Sequence, residues 1–431
     1  MNKLDRMSIL IRSNISLFLV LFLTIGSANA QQIPKPSDVF GHRPGADYKL
    51  ANYEQMLEYY DQLDAASDRV KKAEIGKSVD GRPMILLFIS SKKNIQQLDK
   101  WRNISVKLAR ARIDSIEAQK LSEEGKAIVW IDGGMHAREM AHGQMTPELA
   151  YRVATEESHE MQHIRKNVVF LLMPVANPDG VDIVSSWYEK YLGTPYETTE
   201  TPWLWQRYIG HDNNRDGFMG NMPETKALLK ILSRQWIPQI VYNQHQPSPS
   251  WARIFVPPFN DPVNRNIHPG VTTSINEVGM AMQNRFAIKR MPGAVSRLFS
   301  MFYTGSPRNA AMRHNQIGIL TETAHNSPTP RYYDPADKPE TIGGNPGFRT
   351  DSTSVFYPYP WEGGESHFRD AVDYMITGSL AVLKYAADRR YKLLHNIYRM
   401  GKDAIKEGEA GNPYAYIVPK QHTAVGCSVV S

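Results

Sequence analysis

The segment that decides the reading of this chain is Ala127-Ile-Val-Trp-Ile131, followed at once by Asp132-Gly-Gly-Met-His136-Ala-Arg-Glu139. Five apolar residues, mostly β-branched or aromatic, are too few for a helix and suit a strand buried on both faces. Gly133 and Gly134 permit a tight exit from that strand. A histidine and a glutamate three residues apart then enter the next element.

Working outward, the same kind of apolar run recurs at Met84–Ile89, Val168–Met173, Ile237–Tyr242 and Ile317–Leu320. Helical periodicity fills several of the gaps, at Gln144–Val153, Glu224–Trp236 and Thr272–Phe286. Residues 52–64 are also helical in pattern, and 366–394 read as one long or two shorter helices. Asp80-Gly81-Arg82-Pro83 is turn chemistry. Buried strands alternating with amphipathic helices predict an α/β fold, a mixed and largely parallel central β-sheet with helices on both faces. The expected layout is a signal segment at 1–30, an extended arm at 31–50, one catalytic domain at 51–395 and a C-terminal tail at 396–431.

The first thirty residues are excluded from the fold. Lys3, Arg6 and Arg12 precede the apolar run Leu17–Leu23, and Ala28-Asn29-Ala30 offers a small-residue cleavage site. This is the pattern of a secretory signal peptide with Gln31 as first mature residue, and it places the protein outside the cytoplasm, secreted or periplasmic. No later run approaches membrane-spanning length, so no span is expected after cleavage. Removing the segment lowers the formal net charge from +6 to +4. With no basic cluster in the rest, nucleic-acid binding is not expected. The single cysteine, Cys427, leaves no intramolecular disulfide and no thiolate metal site in the body of the chain.

Polar residues collect where the apolar runs end: His136 and Glu139 after the second run, Asn243-Gln-His245 after the fourth, Thr321-Glu322 after the fifth. In an open α/β sheet, ligands gather at the carboxyl ends of strands. A hydrolytic zinc site needs three protein ligands and one open position. His136 and Glu139 can meet one ion from a single turn, and His245 closes the tripod from another strand. His367 and Asp370 share the three-residue spacing but lie in a helical pattern with no strand before them, which reads as structural. His142, six residues after His136, falls off the ligand face and reads as a supporting or surface group. Asn177-Pro-Asp179-Gly180 is a turn former. No G-x-S-x-G elbow is present, which removes a serine-hydrolase reading.

These motifs, in this order, resemble the zinc metallocarboxypeptidases, the carboxypeptidase A-like or funnelin group. The resemblance rests on His136-Ala-Arg-Glu139, Asn177-Pro-Asp-Gly180, Asp212-Asn-Asn-Arg-Asp216, His245 and Thr321-Glu322, and covers about residues 50 to 390. It implies one Zn2+ on His136, Glu139 and His245, Glu322 as general base and then acid, and Asn214 with Arg215 on the terminal carboxylate of a peptide substrate. It also implies a mobile tyrosine, for which Tyr303 is the candidate, and an upstream arginine for the oxyanion. Arg207 is near that position and does not match it well. Two rival readings stand beside this one: a zinc amidase or deacylase acting on cell-wall peptides or acylated amino acids, and a non-catalytic binding module on the same scaffold. Related secreted sequences often continue into an amidotransferase-like domain, so residues 401–431 read as the start of such a connection, cut short by truncation or altered by a frameshift.

Overall fold

The computed structural model describes residues 33–204, 212–343 and 347–411. The signal segment, Arg207 and the tail from residue 412 with Cys427 lie outside the described residues. Eight strands form one sheet: β1 Val70–Lys77, β2 Pro83–Ile89, β3 Ala127–Asp132, β4 Val168–Met173, β5 Ile240–His245, β6 Ile254–Phe255, β7 Ala294–Val295 and β8 Ile317–Thr323. Their order is β1-β2-β4-β3-β5-β8-β6-β7. The four central strands β4, β3, β5 and β8 run parallel, while β2 and β6 flank them antiparallel. The expected mixed, largely parallel sheet is the sheet observed.

Alternation along each central strand splits the core into two layers. Val129, Ile131, Phe170, Leu172 and Tyr242 face helices α1 Tyr53–Ala66, α2 Thr146–Thr155, α3 Pro269–Ile288 and α4 Phe368–Asp388. Ile128, Trp130, Val169, Leu171 and Val241 face the helices Leu98–Arg110, Ser115–Glu124 and Arg390–Ala410. Burying both faces is what lets these strands read as unbroken apolar runs, each large side chain contributing about 1.5–3 kcal/mol. Among the described residues no helix is long and apolar enough to cross a membrane.

Several boundaries differ from expectation for physical reasons. β5 begins at Ile240 rather than Ile237, because Pro238 has no N–H to pair and Ile237 sits at φ +46°. It then runs on to His245, and β8 runs on to Thr323, because the parallel ladder continues through Gln244↔Thr321 and His245↔Glu322. The polar residues expected beyond the strands therefore belong to them. Edge strand β1 escaped the sequence reading because its charged, half-exposed pattern (VKKAEIGK) carries no apolar signal. The arm at 31–50 is less extended than expected: Pro36–Phe40 is helical and Phe40 packs into the core. At the other end the chain breaks once, at Arg389, and a helix continues from Arg390 to Ala410. Residues 396–410, assigned above to a tail, thus form most of this packed helix, with Ile397 and Tyr398 in the core.

Gly318 shows how tightly β8 is covered. A Cβ there would lie 2.4 Å from the carbonyl oxygen of Arg308. Gly318→Ala should cost about 1–3 kcal/mol through overpacking. Gly408→Ala, on a helix with nothing within 4 Å, should gain about 0.5–1 kcal/mol. Denaturant midpoints of the two variants check both signs.

Candidate active site

The site is assembled from three strand ends and two loops. The exit of β3 is shaped by its glycines: Gly134 adopts φ +63°. A Cβ on Gly133 would lie 2.2 Å from the carbonyl oxygen of His142. The N-P-D-G loop zips onto this turn, with Ala176 N donating to Gly133 O and Asn177 N to Gly134 O, both at 2.9 Å. Asn177 caps the helix Pro178–Tyr191 through Gly180 N. Asp179, read as a turn former, is buried and tethers the β1–β2 turn by accepting from Ser78 Oγ, Asp80 N and Arg82 Nη1.

His136 Nδ1 lies 2.5 Å from Glu139 Oε1. His245 Nδ1 lies 3.3 Å from His136 Nδ1 and 3.2 Å from Glu139 Oε2. One donor atom from each of the three residues falls within 4.8 Å of the others. The ligand set expected from sequence is therefore brought together. Burial alone would lower the pKa of His136, but Glu139 and Asp212 hold it up, at about 10. Burial pushes His245 down to about 4, so that ring is neutral. Glu139 is held well below the usual carboxylate range because His136, His142 and His245 outweigh its burial.

Do these groups fit zinc? An orphaned atom provides the test. The amide nitrogen of Asn214 faces His245 Nε2 at 3.3 Å, while Asn214 Oδ1 is buried without a partner. Turning the amide over lets Oδ1 accept from Nε2–H and satisfies both groups. The proton of His245 then sits on Nε2, and the Nδ1 lone pair faces His136 and Glu139. Two imidazole nitrogens and one carboxylate converging in this way are the donor set of a hydrolytic zinc centre. Asn214, expected on the substrate side, is buried, with its amide beside His245 Nε2.

Three further groups support these donors: Asp212, quoted above only as part of a motif, His142, read above as a supporting or surface group, and Gln246, which the sequence did not single out. Asp212 Oδ1 accepts from His136 Nε2 at 3.0 Å and from Asn214 N at 2.7 Å. One carboxylate thus orients a ligand and caps the short turn Asn213–Arg215. His142 accepts from Gly134 N at 2.6 Å through Nδ1, which leaves its proton on Nε2, 3.3 Å from Glu139 Oε2. Gln246 donates its backbone N–H to Glu139 Oε2, accepts from Ala141 N, and donates its amide to the carbonyl of His325. Each contact joins segments about 30 to 110 residues apart or depends on one ring's tautomer, so no local pattern announces it.

Glu322 sits opposite His245 in the β5–β8 register. Burial first, then the negative charge of Glu139, push its pKa well above the usual range, against His136 and Arg308. Arg215 is exposed, hydrogen-bonds Asn214 O, and stacks on the ring of Tyr303 at 4.9 Å. Tyr303 is 43 % exposed and folds over Gly305. His367 hydrogen-bonds Asp47 and begins α4 with Asp370, away from these groups, as its structural reading expected.

Asp212→Asn should weaken zinc binding about 10–100-fold by loosening His136. Chelator competition on the purified variant measures it, and an unchanged affinity would remove Asp212 from this role.

The sequence model of the zinc carboxypeptidase family matches residues 56–255. That stretch holds His136, Glu139, Asn214, Arg215 and His245 and stops short of Tyr303 and Glu322. Among solved structures, the chain is similar to thrombin-activatable fibrinolysis inhibitor at 16 % identity, covering 82 % of this chain and 79 % of that one, with a TM-score of 0.48. A metallo-carboxypeptidase from Pseudomonas aeruginosa is 14 % identical, covering 79 % and 70 %, with a TM-score of 0.49. One from Burkholderia cenocepacia is 14 % identical, covering 78 % and 70 %, with a TM-score of 0.49. The stretch that matches the zinc carboxypeptidase family, residues 56–255, holds all three converging His-Glu-His donors, the ligand set of a zinc metallopeptidase.

Proposed function

We propose that this enzyme removes C-terminal residues from peptides outside the cytoplasm, with Glu322 as proton carrier and Arg215 as the grip on the terminal carboxylate. The observation that carries the reading is the register that sets Glu322 directly across from His245. A carboxylate at that position is next to the ligands and is not needed as one.

His136, Glu139 and His245 would hold the zinc, which when bound lowers the pKa of its water to near 7 and polarises a carbonyl. Glu322 accepts a proton from the attacking water as the new carbon–oxygen bond forms. It returns that proton to the amine nitrogen as the carbon–nitrogen bond breaks. Arg215, on a turn fixed by Asp212 and Asn213, presents its fork to a planar carboxylate. Asn213 donates to Met135 O at 2.9 Å, which ties that turn to the loop bearing His136. Tyr303, stacked on Arg215, closes over the bound end of the substrate. The extracytoplasmic location rests on the signal pattern at residues 1–30, and the catalytic domain on residues 51–395 with the helix that extends them to Ala410.

Glu322→Gln should retain zinc and lose about 10²–10⁴-fold in kcat. Peptides with an amidated C-terminus should be cut about 10²-fold more slowly than their acids, and Arg215→Ala should erase that difference. Zinc content with steady-state kinetics checks both. Equal rates on acid and amide would instead favour the amidase reading.

A further inference from the structure

Arg308 is a charge that the arrangement above leaves unanswered. It lies in the short helix Pro307–Met312, and its carbonyl oxygen packs on Gly318 of β8. Gly318 and Glu322 are four residues apart on one strand and share a face, so Arg308 sits on the Glu322 side of the sheet. It is only 6 % exposed. Among the described residues, no hydrogen bond or ion pair reaches its guanidinium, and Nε is fully enclosed without a partner. The ring of Phe259, 5.6 Å from the guanidinium carbon, is the aromatic face against it. Burial lowers its pKa to about 10, with Glu322 attracting it and Arg215 repelling it.

A buried guanidinium with no partner is expensive to keep. Glu322 does not neutralise it by direct contact, and Arg215 adds a second positive charge close by. The segments that carry the two arginines are joined: Gly217 N donates to Gly305 O at 2.8 Å, and a Cβ on Gly217 would lie 2.4 Å from Ser306 C. Two cations held at one end of a site call for two anions. Arg215 is at the surface and Arg308 is enclosed, so they are suited to different carboxylates on one ligand.

We propose that Arg308 is a specificity-determining residue that binds the side-chain carboxylate of a C-terminal Glu or Asp, while Arg215 holds the main-chain carboxylate. This rests on the carboxypeptidase reading given above and names its substrate class: peptides that end in an acidic residue. The isosteric amides, Gln and Asn, leave the buried charge without an anion and are disfavoured.

The test uses the zinc-loaded chain and matched peptides that differ only in ending with Glu or Gln, or with Asp or Asn. The acid should exceed its amide isostere by about 10²-fold in kcat/KM. Arg308→Met should bring that ratio to near one, and Arg308→Lys should restore part of it. Arg215→Met should slow all four peptides alike. Calorimetric binding of the same peptides to Glu322→Gln provides a readout without turnover, where the acid should bind at least about tenfold tighter and Arg308→Met should abolish the preference. Because a charge without a partner is removed, the Tm of Arg308→Met should hold or rise. Equal hydrolysis of acid and amide isosteres overturns the role of Arg308 and leaves the carboxypeptidase reading standing. Failure to distinguish a free C-terminus from a blocked one overturns that reading, and the binding ratio then decides on Arg308 alone. A Tm lowered by several degrees in Arg308→Met marks a structural charge and overturns the proposal.

Discussion

Two imidazole nitrogens 3.3 Å apart, with a carboxylate against both, demand a positive centre between them. Neutral rings in that geometry set lone pair against lone pair, and only a proton or a metal ion relieves it. The surrounding structure resists the escape each ring would otherwise take. Asp212 holds the far nitrogen of His136, Asn214 faces the far nitrogen of His245, and Gln246 and His142 hold Glu139. The energy of folding is spent on keeping these donors close, and a cation recovers it.

The sheet explains how such a cluster survives. Asp132, at the end of β3, is fully buried and hydrogen-bonded to Trp130 and Asn243, which locks β3 to β5 beneath the site. Its pKa is pushed up by burial to about 7, with those same hydrogen bonds opposing the rise. Above it, the glycine exit and the N-P-D-G loop satisfy one another's backbone groups, so the loop bearing His136 has few alternatives. Ligands held by strands and tightly paired turns lose little freedom on binding an ion.

The fold was legible because strands buried on both faces leave unbroken apolar runs. The three donor residues were legible because they follow those runs. What stayed hidden has a common cause. Hydrophobicity stops at Tyr242, but the ladder does not, so Asn243, Gln244 and His245 looked like loop. Asp212 was quoted within a motif, yet its bond to His136 spans 76 residues. Asn214 was assigned to the substrate, and its contact with His245 could not be read from one turn. Arg308 drew no notice, since nothing in the letters says that a charge is enclosed.

Asp212 serves two masters, and this limits how the enzyme can diversify. The same oxygen that steadies a metal ligand also caps the turn carrying Arg215. A change that rebuilt this turn would disturb His136 in the same step. The metal site and the Arg215 turn are thus mechanically one unit, and a change made in either is felt in the other.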